Sequence, residues 1–192
     1  MLKYCGYAAL MALLLGLGGP AQARGPDAGA WVLSGHVGNV EVDRLVRDDG
    51  AWWAEVDDRR PAFGLALSHE PLAMFGVRLL YERAQGVSTT NRCPDNGTCP
   101  AILIREEVDL EAWQFVLVPR VQLGRNFSLF STLGALYWEL NSDDLLPGDS
   151  GTDFVYGAGL TWLGARDIEI GLEFQAADVD YSVLRLNLGL RF

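Results

Sequence analysis

The sequence predicts an all-β protein: an eight-stranded antiparallel up-and-down transmembrane β-barrel, preceded by a cleaved signal peptide. Three observations carry this. The stretch from Ser182 to Phe192 alternates apolar and polar residues almost without error. Strands of about ten residues recur along the chain, as membrane-crossing strands require. The connections between them alternate short and long.

In the terminal stretch, Leu184, Leu186, Leu188, Leu190 and Phe192 share one face, and Val183, Arg185, Asn187, Gly189 and Arg191 the other. Successive side chains of a strand point to opposite faces. A soluble sheet buries its apolar face, whereas a membrane barrel turns it toward lipid and keeps polar residues inside. The amino terminus decides between these. Lys3 precedes an apolar run from Tyr7 to Leu17, Pro20 breaks it, and Ala21-Gln22-Ala23 forms an A-x-A cleavage site. The run is too short for a spanning helix, which needs about 20 residues. Residues 1–23 are therefore expected to be a signal peptide and residues 24–192 the barrel domain.

The expected strands are Ala30 to Val42, Ala62 to His69, Met74 to Arg83, Val108 to Leu123, Phe127 to Leu140, Asp153 to Leu163, Ile168 to Gln175 and Tyr181 to Phe192. Glu70-Pro71-Leu72-Ala73, Gly124-Arg125-Asn126 and Gly164-Ala165-Arg166-Asp167 have the chemistry of tight turns. Asp43 to Pro61, Ala84 to Glu107 and Asn141 to Thr152 read as long polar loops, with a shorter one from Ala176 to Asp180. Long and short connections alternate when one end of a barrel faces the periplasm and the other the exterior. An even strand number places both termini at the short-turn end.

Parity assigns the faces. Ile168, Ile170, Leu172 and Phe174 oppose Glu169, Gly171, Glu173 and Gln175, and Phe75, Val77, Leu79 and Tyr81 oppose Gly76, Arg78, Leu80 and Glu82. The fourth and sixth strands behave alike. In the fifth, Phe130, Leu136 and Trp138 compete with Leu129, Leu133 and Tyr137 for the outer face. The outward aromatics fall near strand ends: Trp31, Phe63, Phe75, Tyr81, Trp113, Phe127, Tyr137, Phe154, Trp162, Phe174 and Phe192. That distribution makes two interfacial girdles.

The inward set carries both signs: Arg78, Glu82, Arg120, Glu169, Glu173, Arg185 and Arg191. The interior of such a barrel is just wide enough for side chains to fill, and buried charges need partners. These residues are expected to form a salt-bridge network that plugs the bore. Gly76, Gly157, Gly159, Gly171 and Gly189 are expected to make room for the arginines.

The chain has 192 residues and a formal net charge of −10. Without its leader, 169 remain (192 minus 23), and loss of Lys3 takes the charge to −11. An acidic chain without a basic patch argues against nucleic acid as partner. Cys93 and Cys99 sit in a loop rich in Pro, Asn and Gly. In an exported protein such a pair is most simply a disulfide, contributing about 2–3 kcal/mol at most. No further Cys or His lies nearby to complete a metal site.

With these features, and with Asp153-Phe154-Val155-Tyr156-Gly157-Ala158-Gly159-Leu160, Asp178-Val179-Asp180-Tyr181-Ser182 and the tail through Leu190-Arg191-Phe192, the chain resembles the small eight-stranded outer-membrane barrels of the OmpA/OmpX-like group. The resemblance covers the mature chain in pattern rather than identity. It implies a monomeric barrel in the outer membrane of a Gram-negative bacterium, with outer-membrane lipid and the barrel insertion machinery as partners. It also implies that Phe192 is the insertion signal, and no peptidoglycan-binding domain is seen after it.

Enzymatic barrels resembling lipid A deacylases or palmitoyltransferases use a His with a Ser and an acidic residue. Only His36 and His69 are available here, and neither sits on the strand that carries the deacylase motif. His36 shares the inner face with Ser34 and is expected to be a satisfied interior residue, while His69 is expected to be a solvated turn residue. No phosphate loop, dinucleotide fingerprint or metal cluster is seen, so no cofactor is expected. Trp52-Trp53 are expected to pack within their loop or on the membrane interface, and Asp143, Asp144, Asp149 and Asp153 to be solvated. The expected role is structural or interactive, through the outer loops, and not enzymatic. A lipid A-modifying enzyme, a narrow channel and a soluble lipocalin-like binder are the alternatives.

Overall fold

The computed structural model describes residues 29–48, 53–92, 105–124, 126–141, 149–164, 167–178 and 181–192. The signal segment, Cys93, Cys99, Trp52, Asp143 and Asp144 lie outside them. Eight strands run in order: β1 (Ala30–Asp48), β2 (Trp53–Leu72), β3 (Phe75–Arg92), β4 (Arg105–Leu123), β5 (Phe127–Asn141), β6 (Asp149–Leu163), β7 (Ile168–Ala177) and β8 (Tyr181–Arg191). Each pairs antiparallel with its neighbours, and β8 returns to β1, closing the barrel. The closing ladder runs from Val32↔Arg191 to Val42↔Tyr181. Below it, Trp31 and Phe192 exchange two backbone hydrogen bonds of 2.8 Å.

The faces divide as membrane geometry requires. Leu184, Leu186, Leu188 and Leu190 are 52–60% exposed, whereas Arg185 between them is 0% exposed. Leu33, Val37, Leu65, Leu79, Phe115 and Leu172 continue the exposed apolar belt around the wall. A soluble monomer rarely exposes so large a contiguous apolar surface. Aromatic residues mark the belt's upper margin, where Tyr81, Trp113 and Tyr137 occupy successive cross-strand positions. Tyr81 and Trp113 pack with ring centroids 4.7 Å apart.

β5 resolves its ambiguity in favour of an apolar interior. Phe130, Leu136 and Trp138 are buried, and Phe127 and Tyr137 face outward. Gly159 makes this possible, because a Cβ there would stand 2.3 Å from Phe130 Cζ.

The expected long loops are largely strand. Asp43 to Pro61 becomes the tops of β1 and β2, with only residues 49–52 between them, and β3 and β4 extend likewise to Arg92 and from Arg105. Trp53 and Asp149 open β2 and β6. The physical reason is that a strand leaving the bilayer no longer needs apolar residues outside. Glu41, Arg59, Arg83, Asp109, Glu111 and Glu139 replace them on the outer face, while Val42, Val87, Val108 and Leu110 stay buried inside. Charge there marks emergence from lipid, not the end of the ladder.

At the opposite end the strands also run further than expected. β2 continues through Glu70 and Pro71 to Leu72, so Glu70 is a buried interior residue, not part of the turn. His69 is likewise in the strand, stacked on Trp31 at 4.4 Å. Asp167 takes a positive φ of 60° before β7, a conformation Asp tolerates better than most side chains.

If the exposed leucines of β8 face hydrocarbon, Leu186→Arg lowers stability by about 2–4 kcal/mol. Urea unfolding of barrels refolded into lipid vesicles measures this. A solvated face predicts no more than about 0.5 kcal/mol.

Candidate functional site

The chemistry-bearing residues of this chain converge inside the barrel. Even-numbered positions of β1 to β5 and odd-numbered positions of β6 to β8 point inward in the membrane zone. This brings residues far apart in sequence within hydrogen-bond reach.

The turn end holds a ring of alternating charge. Glu70 accepts from Arg191 Nη1 at 2.6 Å and lies 2.9 Å from Arg120 Nη1. Glu169 closes the ring, 3.0 Å from Arg191 Nη2 and 3.5 Å from Arg120 Nη2. Each carboxylate thus meets two guanidinium groups from different strands.

A second tier lies above. Arg78 donates to Glu173 Oε2 at 2.7 Å and to Ser68 Oγ at 3.3 Å, and its guanidinium carbon sits 5.2 Å from the Phe130 ring centroid. Gln175 Nε2 donates to Glu173 Oε1 at 2.9 Å and to Thr132 Oγ1 at 3.2 Å. Gln175 Oε1 accepts from Arg185 Nη1, linking this tier to the third.

In the third tier Arg185 Nε donates to Glu82 Oε2 at 2.7 Å. Tyr181 OH donates to Glu82 Oε1 at 2.6 Å and accepts from Arg185 Nη2 at 2.9 Å. His36 Nε2 stands 3.2 Å from Glu82 Oε2. Two glycines admit these side chains: a Cβ at Gly38 would meet Arg185 Cγ at 3.1 Å, and one at Gly64 would meet His36 Nε2 at 2.6 Å. The nearest neighbours of Gly76, Gly157, Gly159, Gly171 and Gly189 are other residues, so these five do not accommodate the arginines as expected.

All seven charged residues expected inside thus stand in the bore, joined by Glu70, His36, Tyr181 and Gln175. The eight formal charges balance, with four arginines (78, 120, 185, 191) against four glutamates (70, 82, 169, 173). Tyr181 and Gln175 were legible by parity with Arg185 and Glu173. Glu70 shares the parity of Ser68 but was hidden by the adjacent Pro71.

Above these tiers the bore changes character. Val40, Val42, Ala62, Ala84, Val87, Val108, Leu110, Leu136, Trp138, Leu140, Val155, Ala177 and Val183 form one buried apolar cluster. Trp138 lies across Gly151, and its Nε1 donates to Asp153 Oδ2 at 2.6 Å. The interior is therefore mainly polar toward the turns, where Val32, Val116, Val118 and Phe130 are buried among the charged tiers, and apolar toward the loops. A small cavity of about 20 Å³ remains among Ser34, Ser68, Arg78, Thr161, Glu169 and Asn187, room for about one water.

Above the lipid belt, β2 and β3 are tied by a side chain where their ladder breaks between Val56 and Ala62. Asp58 accepts from Ser88 N at 2.8 Å and from Arg60 Nε at 2.7 Å. Partial burial opposes ionisation of Asp58, but these bonds outweigh it and hold the carboxyl below its ordinary value.

A closed barrel with a lipid-facing apolar belt, aromatic margins and a charge-paired bore is a transmembrane β-barrel of the outer-membrane type. Solved structures of that class share the fold. OprG of Pseudomonas aeruginosa matches with a TM-score of 0.68 and 16% identity, over 88% of this chain and 99% of that one. The amino-terminal barrel domain of Pseudomonas aeruginosa OprF matches at 0.58 and 10% identity, over 86% and 98%. Ail, the attachment invasion locus protein of Yersinia pestis, matches at 0.54 and 21% identity, over 86% and 100%. No protein-family model matches the sequence, and no curated protein matches it.

Removing Arg185 alone strands Glu82 in the bore. Arg185→Met is expected to cost about 3–5 kcal/mol, and Arg185→Met with Glu82→Leu to recover much of that loss. Urea titrations of the single and double variants measure the coupling.

The Asp58 tie is expected to depend on pH. Its lowered folded value means that its contribution is complete above the ordinary Asp value of 3.8 and is lost as pH falls through the folded value. The protection factor of the Ser88 amide, its exchange rate relative to the intrinsic rate at the same pH, should fall in acid, and Asp58→Asn should remove most of that pH dependence.

Proposed function

We propose that this chain is a monomeric integral protein of a bacterial outer membrane, with a structural or surface-contact role and a plugged, non-conducting bore. One observation carries this: apolar residues face outward around the whole wall, while paired arginines and glutamates lie within. The loop end is the part that differs most from a bare spanning cylinder, because β1 to β6 continue beyond the lipid belt. That end is the contact surface.

The remaining roles are assigned on the same reading. Residues 1–23 direct export, Cys93 and Cys99 form a disulfide at the loop end, and Phe192 serves the insertion machinery from an exposed position on the β1–β8 seam. Catalysis is not assigned. His36 is buried and engaged by Glu82, which leaves it without a route to a lipid substrate. The channel reading is disfavoured because apolar side chains fill the loop-end bore.

Ail was solved with the heparin analogue sucrose octasulfate. Such an anion is not carried over to this chain, whose net charge is −10.

Fractionation with heat-modifiable gel migration tests the location. The chain should sediment with outer membranes and migrate faster unheated than boiled. Recovery as a folded monomer in detergent-free buffer would overturn the proposal. Purified barrels in planar bilayers should carry no stepwise current, and steady conductance would refute the plugged bore.

A further inference from the structure

We propose that the stacked pair Trp31 and His69, on the outer wall near the turn end, binds the phosphate of a phospholipid headgroup in the periplasmic leaflet. This rests on the reading above that the wall faces lipid, and it names one specific lipid contact.

Two strands build the pair. Trp31 on β1 and His69 on β2 are register partners. Both stand on the outer face, with Trp31 exposed and His69 half-buried. Their rings stack with centroids 4.4 Å apart and planes 25° from parallel. Packing thus holds the imidazole against an aromatic surface. The rest of this face is apolar. Leu33↔Leu67 is the next outward pair toward the loop end, and Val77 stands across from His69 on β3. Leu72 and Met74 are exposed at the turn below. The pair is therefore continuous with the lipid belt and lies near its lower margin, where Phe192 is bonded to Trp31.

An imidazole in such surroundings needs a partner. A polar group held against apolar surface without a hydrogen bond is costly, and hydrocarbon supplies none. His69 Nδ1 is enclosed and has no partner, whereas Nε2 is not enclosed. In a neutral ring one nitrogen carries the hydrogen and the other accepts. The hydrogen belongs on Nε2, because an enclosed N–H without an acceptor would lose its bond altogether. Among the described residues neither this N–H nor the indole N–H of Trp31 has an acceptor.

Chemistry selects the occupant. The outward positions of β1 to β3, from the turn up to Val37, Phe63 and Tyr81, carry no acidic side chain. Glu70, next to His69 in sequence, points inward and is taken up by Arg191 and Arg120. Two N–H donors in that setting suit an acceptor that brings its own negative charge, since bonds to ionised oxygens are about twice as strong as neutral ones. Phosphodiester oxygens stand at the headgroup level, where amphipathic rings such as tryptophan settle.

The test uses the untagged mature barrel with isotopically labelled histidine, folded into bilayers of phosphatidylethanolamine and phosphatidylglycerol. The chain has two histidines, and His36, buried in the bore, is the internal control. Solid-state NMR should show the His69 Nε2 signal dephased by lipid phosphorus and the His36 signals untouched. In octyl glucoside micelles with excess inorganic phosphate, neither should respond. His69→Phe keeps a ring against Trp31 and removes the donor. It should lower the folding equilibrium constant about tenfold in the bilayers and leave it unchanged in octyl glucoside. The proposal is overturned if His69 shows no contact with phosphorus in bilayers, if His36 responds as strongly, or if inorganic phosphate gives the same contact in micelles. An equal loss for His69→Phe in both media would mark a packing role and overturn it too. A chain that fails to insert sinks the functional reading. A chain that inserts while His69 stays clear of phosphorus sinks only this one.

Discussion

The pairing of buried charge in a bore filled by side chains governs this molecule. Eight strands enclose a space that side chains fill. A guanidinium or carboxylate left alone there would cost several kcal/mol. Every arginine in the bore therefore has a glutamate within reach, and the links cross the barrel. Arg78 joins β3 to β7, Arg185 joins β8 to β3, and Arg120 and Arg191 meet the same two carboxylates from opposite sides. These cross-links supply inside the barrel what a soluble protein obtains from an apolar core, because here the apolar surface is spent on lipid.

The same constraint explains why the interior has two halves. In the membrane zone the outer face must be apolar, so the charged residues of that zone are confined to the bore, where they stand beside Val32, Val116, Val118 and Phe130. Beyond the membrane the outer face meets water, and the alternation inverts. Glu111 faces out and Leu110 in, and Arg83 faces out and Ala84 in. The loop end thus has an ordinary apolar core around Trp138, built on the strands that form the membrane cylinder below. This core fills the loop-end bore.

Much of this was legible beforehand. Strand number and antiparallel order follow from the recurrence of strands and the alternation of their connections, and the outward leucines of β8 and the inward arginines follow from parity. Strand length was less legible. The tops of β1 to β4 looked like loops because their charges were read as solvation rather than as the outer face of a continuing strand. Parity also cannot say which glycine faces which large side chain, since that depends on register across strands. Gly38 beneath Arg185 and Gly64 beneath His36 are decided by the β1–β8 and β1–β2 ladders.

The amino-acid order by itself determined a membrane-crossing barrel and the sign of each face, because alternation with a period of two is a local property of the backbone. It pointed to seven of the eight charged residues that line the bore, all but Glu70, but not to their partners. Only closure of the barrel decided that Glu70 completes a ring with Arg191, 121 residues away, and that Tyr181 and His36 converge on Glu82. Those contacts depend on the stagger of all eight strands around the cylinder, a quantity that no single strand carries.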